Sequence, residues 1–332
     1  MFVHGLTGNR ENTWTYRNGS QKVFWPRDLL SKTLPRARIA TFGYDADVVR
    51  MWRVAGSNGL LDHGNSLAHT VVALRQTIDD QTRAIIFVAH SLGGLVCEQA
   101  LLVSNMAGAV TRLRSVAEST RGIVFMGTPH RGSDLASWGN NLAKYLSRFR
   151  SVNRKLVKTL EVDSDILRAV EEDFQKMILK PEYSTKINVF CFYEEIGMTG
   201  FGKIVPKASA ILPQYPNASI HANHRGMTQF KGANDSGYVA VSSLLSDWVE
   251  DLKLPVKAIH NGNKTATPAA SANHALPDQQ TEPLTPLTPP IQTYHSMQMT
   301  NTINGNISSE TGHQFVNSTF NGLNMTFTFG PN

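Results

Sequence analysis

Two rhythms of apolar positions alternate along the first 254 residues, and they predict different elements. Ile85-Ile86-Phe87-Val88 is a short β-branched and aromatic run of buried-strand length, and it stops at Ala89-His90-Ser91-Leu92-Gly93-Gly94. Beyond that stop Leu95, Val96, Ala100 and Leu101 recur at helical spacing, so a strand runs through a sharp turn into a helix. Residues 38–44, 122–126 and 186–193 read as further buried strands, residues 1–3 as the end of one, and 206–212 and 219–222 as short ones. Between them Leu67, Val71, Leu74 and Ile78 mark an amphipathic helix, and Pro26 opens a short helix carrying Leu29, Leu30 and Leu34. Residues 135–177 and 241–252 also repeat with helical period. Strand, helix and strand in alternation predict an α/β protein with a mostly parallel sheet, right-handed crossovers and strand ends gathered on one edge.

After Pro255 the pattern dissolves. Proline, threonine, alanine and asparagine dominate up to about Pro290, with too little apolar content to pack, which predicts a disordered linker over 255–297. Past it Thr302-Ile303-Asn304-Gly305 returns as Thr319-Phe320-Asn321-Gly322, and Met325-Thr326-Phe327-Thr328-Phe329 alternates as a strand does. The expected organisation is a folded domain over 1–254 with a helical cap inserted at about 135–180, the linker, and a β-prone tail over 298–332.

Composition narrows the setting. With 332 residues, 41% of them hydrophobic, the chain is long enough for one large core and a smaller appendage. Its two cysteines, Cys97 and Cys191, sit in apolar patterns as reduced fillers, and nothing near Met1 resembles a signal peptide, so a cytoplasmic protein is expected. The net charge of +6 belongs to the first domain, because from Pro255 onward three acids face two lysines. Lys144, Arg148, Arg150, Arg154, Lys155 and Lys158 fall in one helical region without interleaved aromatics. That is a solvated face, with peripheral contact to anionic lipid as the alternative and no nucleic-acid partner.

The turn at Ser91 carries the chemistry. A serine at such a tip has strained dihedrals and needs small residues two before and two after it, which Ala89 and Gly93 supply. Its hydroxyl needs a base, and the base an acid to hold its tautomer. Where this elbow occurs the partners follow in the order serine, acid, histidine. Ser91, Glu194 and His224 give that order. Glu195 is the alternative acid, since neighbours on a strand point to opposite faces, and His130 is the alternative base, disfavoured because it precedes both acids. The backbone N–H groups of Leu6, in the His4-Gly5-Leu6-Thr7-Gly8 loop, and of Leu92 are the candidate oxyanion donors. The eleven histidines lack metal-ligand spacing and no G-x-x-x-x-G-K-[ST] occurs, so neither a metal nor a cofactor is expected.

Six motifs occur together and in order: Phe2-Val3-His4-Gly5-Leu6-Thr7-Gly8, Trp25-Pro26-Arg27-Asp28-Leu29-Leu30, Ala89-His90-Ser91-Leu92-Gly93-Gly94, Gly127-Thr128-Pro129-His130-Arg131-Gly132, Phe192-Tyr193-Glu194 and Asn223-His224-Arg225. Residues 1–254 thereby resemble the serine-esterase branch of α/β-hydrolases related to GPI-inositol deacylases. More closely they resemble the hydrolase domain of fungal NACHT-type NOD-like receptors and associated effectors. The resemblance implies an α/β-hydrolase fold and lipase or esterase chemistry on an ester or lipid substrate, with Ser91, Glu194 and His224 in the triad positions. It departs from the family in lacking earlier strands, which leads to the expectation of a truncated reading frame, and in carrying no nucleotide-binding domain. The tail resembles the short amyloid-type signalling motifs of fungal effectors, which implies self-assembly or a NOD-like receptor partner through residues 298–330. Two readings stay open: a cytosolic ester hydrolase, and a signalling module whose hydrolase fold is silent or switched.

Overall fold

A computed structural model describes residues 1–5, 8–44, 58–108, 111–130, 164–253, 318–320 and 323–328. Leu6, the basic stretch from Lys144 to Lys158, most of the expected cap and the whole of the expected linker lie outside the described residues. Six strands form the parallel part of the sheet: β1 (Phe2–Val3), β4 (Ile39–Phe42), β5 (Ile85–His90), β6 (Thr120–Met126), β7 (Asn188–Glu194) and β8 (Asn217–Ile220). They lie side by side in the order β8-β7-β6-β5-β1-β4. The register aligns Phe87 with Ile123 and Ile123 with Val189, so that residues of one parity face one side across three strands.

Both faces are covered, which is why these strands read as continuous apolar runs rather than alternating ones. On one face Phe87, Ala89, Ile123, Phe125 and Cys191 pack with helices α1 (Asn58–Leu74), α2 (Gly93–Met106) and α3 (Ser164–Ile178). On the other Val88, Val124, Met126 and Phe192 meet Trp14, Trp25 and helix α4 (Ser236–Asp251). The α4 contact relies on an absent side chain, because a Cβ on Gly122 would stand 2.4 Å from the Trp248 ring. Trp25, fully buried, directs its indole N–H to Thr228 O at 2.9 Å and so ties the early chain to the segment after β8.

Several elements differ from the sequence expectation. Residues 206–212 hold a short helix, Lys207–Ala210, because Pro206 with φ −57° sets up a first turn where a strand would need an extended backbone. Strand β8 starts at Asn217, two residues before the expected place. Helix α1 begins earlier and ends at Leu74, since Thr77 starts a separate helix by accepting the Asp80 N–H at 3.1 Å. The antiparallel hairpin of β2 (Thr15–Asn18) and β3 (Gln21–Phe24) was unforeseen, although Asn18-Gly19 is a turn pair and Gly19 has φ 55°. In the tail, β9 (Ser318–Phe320) and β10 (Leu323–Thr328) pair antiparallel, and β10 pairs antiparallel with β4.

Candidate active site

The strand β5 ends at His90 and α2 begins at Gly93, leaving Ser91 and Leu92 to make the turn. Ser91 has φ 55° and, among the described residues, no other non-glycine has a positive φ. A side chain held there costs on the order of 1–3 kcal/mol, which the surroundings must enforce. They do so at both ends, with Ser91 N donating to Met126 O at 3.0 Å and Ser91 O accepting Gly94 N at 3.0 Å. The approach of the first loop is equally close. A Cβ on Gly93 would lie 2.4 Å from His4 O, and one on Gly5 would lie 2.6 Å from the Ser91 Cβ and 3.1 Å from its hydroxyl oxygen. Leu92 follows in helical conformation at the start of α2, where backbone N–H groups have no partner within the helix. Leu6 itself is outside the described residues, but its neighbours are fixed: Gly8 N donates to Gly5 O at 3.0 Å, and the Tyr44 hydroxyl donates to His4 O at 2.7 Å.

Glu194 closes β7 and His224 lies on the loop after β8, one strand further out, and the structure brings the two together. The Glu194 Oε1 is 3.7 Å from His224 Nδ1, with the two side chains 0% and 6% exposed. That spacing is longer than a hydrogen bond, and catalytic contacts of this kind commonly tighten only around substrate. Glu194 is held by backbone, its Oε1 accepting Val205 N at 2.6 Å, with the main-chain N–H groups of His224 and Ile204 near enough to favour its charged form as hydrogen-bond donors do. Burial pushes its carboxyl up to about 7, against those hydrogen bonds, which pull the other way. Burial also holds the His224 imidazole well below its usual range, helped by neighbouring His90, so the ring is neutral at pH 7 as a general base must be. Glu195 turns outward to within 3.5 Å of His221, on the surface. His130 is engaged elsewhere, 3.0 Å from Glu98.

Two histidines not singled out by sequence reasoning complete the surroundings. His90 Nε2 donates to His224 O at 2.9 Å and its ring lies 4.8 Å from that of His224. His4 stacks on Tyr44 with centroids 4.4 Å apart. Burial brings both imidazoles down to about 4. Their signal in the sequence was their place beside the oxyanion glycine and the elbow serine. A separate cavity of about 430 Å³ opens at the other end of the strands, beside Ile85, Ala40 and Leu245. Ser91 lies beyond the far end of β5, about 10 Å along the strand from Val88, the lining residue of β5 nearest to it.

A parallel sheet in this order, with a strained serine on a strand-to-helix elbow, defines an α/β-hydrolase. Residues 1–180 match the family described as "Putative serine esterase (DUF676)", and the chain belongs to that family, whose class is that of carboxylic ester hydrolases. The human Protein SERAC1 is 28% identical over 240 residues, which cover 68% of this chain and 35% of that protein. The mouse Protein SERAC1 is 30% identical over 190 residues, 52% of this chain and 27% of that one. The chain thus spans about a third of the length of these curated relatives. Among solved structures, an esterase of Pyrococcus furiosus aligns over 75% of this chain and 80% of its own, with 14% identity and a TM-score of 0.38. Among the described residues no helix is long and apolar enough to cross a membrane.

Proposed function

We propose that the chain cleaves carboxylic esters through a Ser91-His224-Glu194 triad. The observation that carries this reading is the φ of 55° at Ser91, a strained conformation kept at the tip of the strand-to-helix turn. With Nδ1 turned to Glu194, the Nε2 of His224 is the nitrogen left to take the Ser91 proton. The serine oxygen then attacks the ester carbonyl, and the N–H groups of Leu92 and Leu6 stabilise the oxyanion. Collapse of that intermediate expels the alcohol, which takes its proton from His224, and leaves an acyl group on Ser91. Water, deprotonated by the same imidazole, releases the acid. Lipid esters are the proposed substrates, on the lipase-like motifs that frame the elbow in the sequence. A fluorophosphonate should label Ser91 in the wild type, and Ser91→Ala should abolish both labelling and short-chain ester hydrolysis. Equal labelling of the alanine variant would remove the assignment.

The finer setting is also a proposal. Free, buried Cys97 and Cys191 support a reducing compartment such as the cytoplasm. The β-forming tail supports recruitment of the enzyme through residues 298–330, to copies of itself or to a receptor of the NOD-like type, in fungal immunity or heteroincompatibility.

A further inference from the structure

Behind the elbow lies a second buried pair of ionisable groups, which the triad does not use. Glu98 sits on α2 about two turns past Ser91, and His130 follows β6. The His130 Nδ1 and Glu98 Oε1 are 3.0 Å apart, with both side chains fully withdrawn from solvent. The main chain of His130 donates to Ser209 O at 2.7 Å, and the ring meets Phe125 edge to face at 4.5 Å. Glu171 of α3 interacts electrostatically with both members. Glu98 Oε2 and His130 Nε2 have no hydrogen-bond partner. A buried acid and a buried imidazole are costly apart, but hydrogen-bonded to each other each satisfies a polar group of its partner. Sliding them apart would orphan both, so the bond resists displacement.

What the bond holds is the short segment from Gly127 to His130. Gly127 has φ 61°, its N–H donates to Phe192 O at 2.8 Å, and a Cβ there would stand 3.1 Å from Cε1 and Nδ1 of His224. Thr128 presses on the first turn of α2 so closely that a Cβ on Gly94 would be 2.2 Å from its methyl carbon. The segment therefore touches the imidazole at one end and is bonded to the nucleophile's own helix at the other. We propose that Glu98 and His130 are positioning residues whose buried bond clamps residues 127–130 to α2 and so keeps the His224 imidazole in register with Ser91. This rests on the assignment of Ser91 and His224 as nucleophile and base.

The full chain carrying Glu98→Leu, His130→Leu, both, or the conservative Glu98→Gln can be compared with wild type by two readouts. The first is hydrolysis of p-nitrophenyl butyrate; the second is an NMR titration of the His224 side-chain nitrogens, which needs no turnover. Each leucine variant should lower kcat roughly 10- to 100-fold with KM changed less than about threefold, as expected of lost orientation rather than lost binding. The double variant should be no worse than the poorer single one, because the two act as a unit. Glu98→Gln, which keeps the shape and a hydrogen bond, should recover most of the rate. Loosening Gly127 should let water reach a ring that otherwise faces Glu194 of β7 and His90 of β5, so His224 should take up its proton roughly one pH unit higher. Additive effects of the two changes, or an unmoved His224 titration in folded variants, overturn the clamp. Should the leucine variants not fold, Glu98→Met and His130→Phe, which keep the volume but remove the bond, decide by the same titration, and coincidence of their curves with wild type overturns the clamp. A wild type that neither hydrolyses the ester nor takes a fluorophosphonate label defeats the nucleophile assignment instead, and the titration still judges the clamp.

Discussion

At Ser91 the backbone and the chemistry pull in opposite directions. The φ of 55° suits glycine and strains any residue with a Cβ, so the hydroxyl is kept at the tip at a cost in stability. Ser91→Gly should therefore be about 1 kcal/mol more stable than Ser91→Ala, which keeps the strain, read as a higher urea midpoint, while both lose activity. A lower midpoint for glycine would mean that the turn is not strained. On the proposed triad, Glu194 sets the pH response. Burial places its carboxyl at about 7, and only the ionised form can balance the charge that His224 gains on taking the serine proton. The proton is lost as pH rises, so kcat/KM should climb through about pH 7 and level off above it. Glu194→Gln, fixed in the neutral form, should lose that limb and run roughly two to four orders of magnitude slower. A limb that persists in the variant assigns it to another group. These two residues also show how far the sequence reached. The elbow was legible because its steric demand is local, met by Ala89 and Gly93 within five residues. Alternation along a strand showed that one of Glu194 and Glu195 faces inward without showing which, and the structure buries the first and exposes the second. The bond from His90 to His224 O joins residues 134 positions apart and leaves no mark in either local pattern.

Elements were legible in proportion to how much of them is buried. Strands β5, β6 and β7 are covered on both faces and announce themselves as apolar runs, whereas β2 and β3 carry exposed Arg17, Asn18, Gln21 and Lys22 and offered only a turn pair. Residues 206–212 misled because a short apolar run fits a strand or a helical turn equally well, and proline at its head decided for the turn. The packing of α4 on the sheet turns on a position that pattern cannot reveal. Gly122 lies in β6 under Trp248, and a methyl group there would enter the ring at 2.4 Å. Gly122→Ala should cost about 1–3 kcal/mol by overpacking, read as a lower urea midpoint, while Ser91 keeps its fluorophosphonate label because the strand's other end is untouched. Loss of the label at unchanged stability would mean that α4 governs the site directly.

For the whole molecule, the folded region and the tail pose separate questions. The tail was legible as β-forming from its alternation, and β10 is indeed a strand, but which partner it prefers is not a property of the segment alone. Charge that would oppose in-register stacking is nearly absent after residue 298, and asparagine ladders favour stacked copies. A synthetic peptide of residues 298–330 should form fibres with the roughly 4.7 Å strand reflection and seed its own growth. A peptide that stays monomeric at high concentration sinks the assembly role. The folded region carries a consequence of a different kind. Ser91, Glu194 and His224 stand at the ends of β5 and β7 and just after β8, strands that the fold sets close in one sheet, yet Ser91 comes more than a hundred residues before the other two in the chain. During synthesis the serine leaves the ribosome long before the histidine exists, and until then it is an ordinary alcohol. On the proposed triad, translation order acts as a safety catch, withholding ester hydrolysis until the last crossover closes; nascent chains stalled at residue 220 should take up no fluorophosphonate, and any that did would show that the catch is elsewhere.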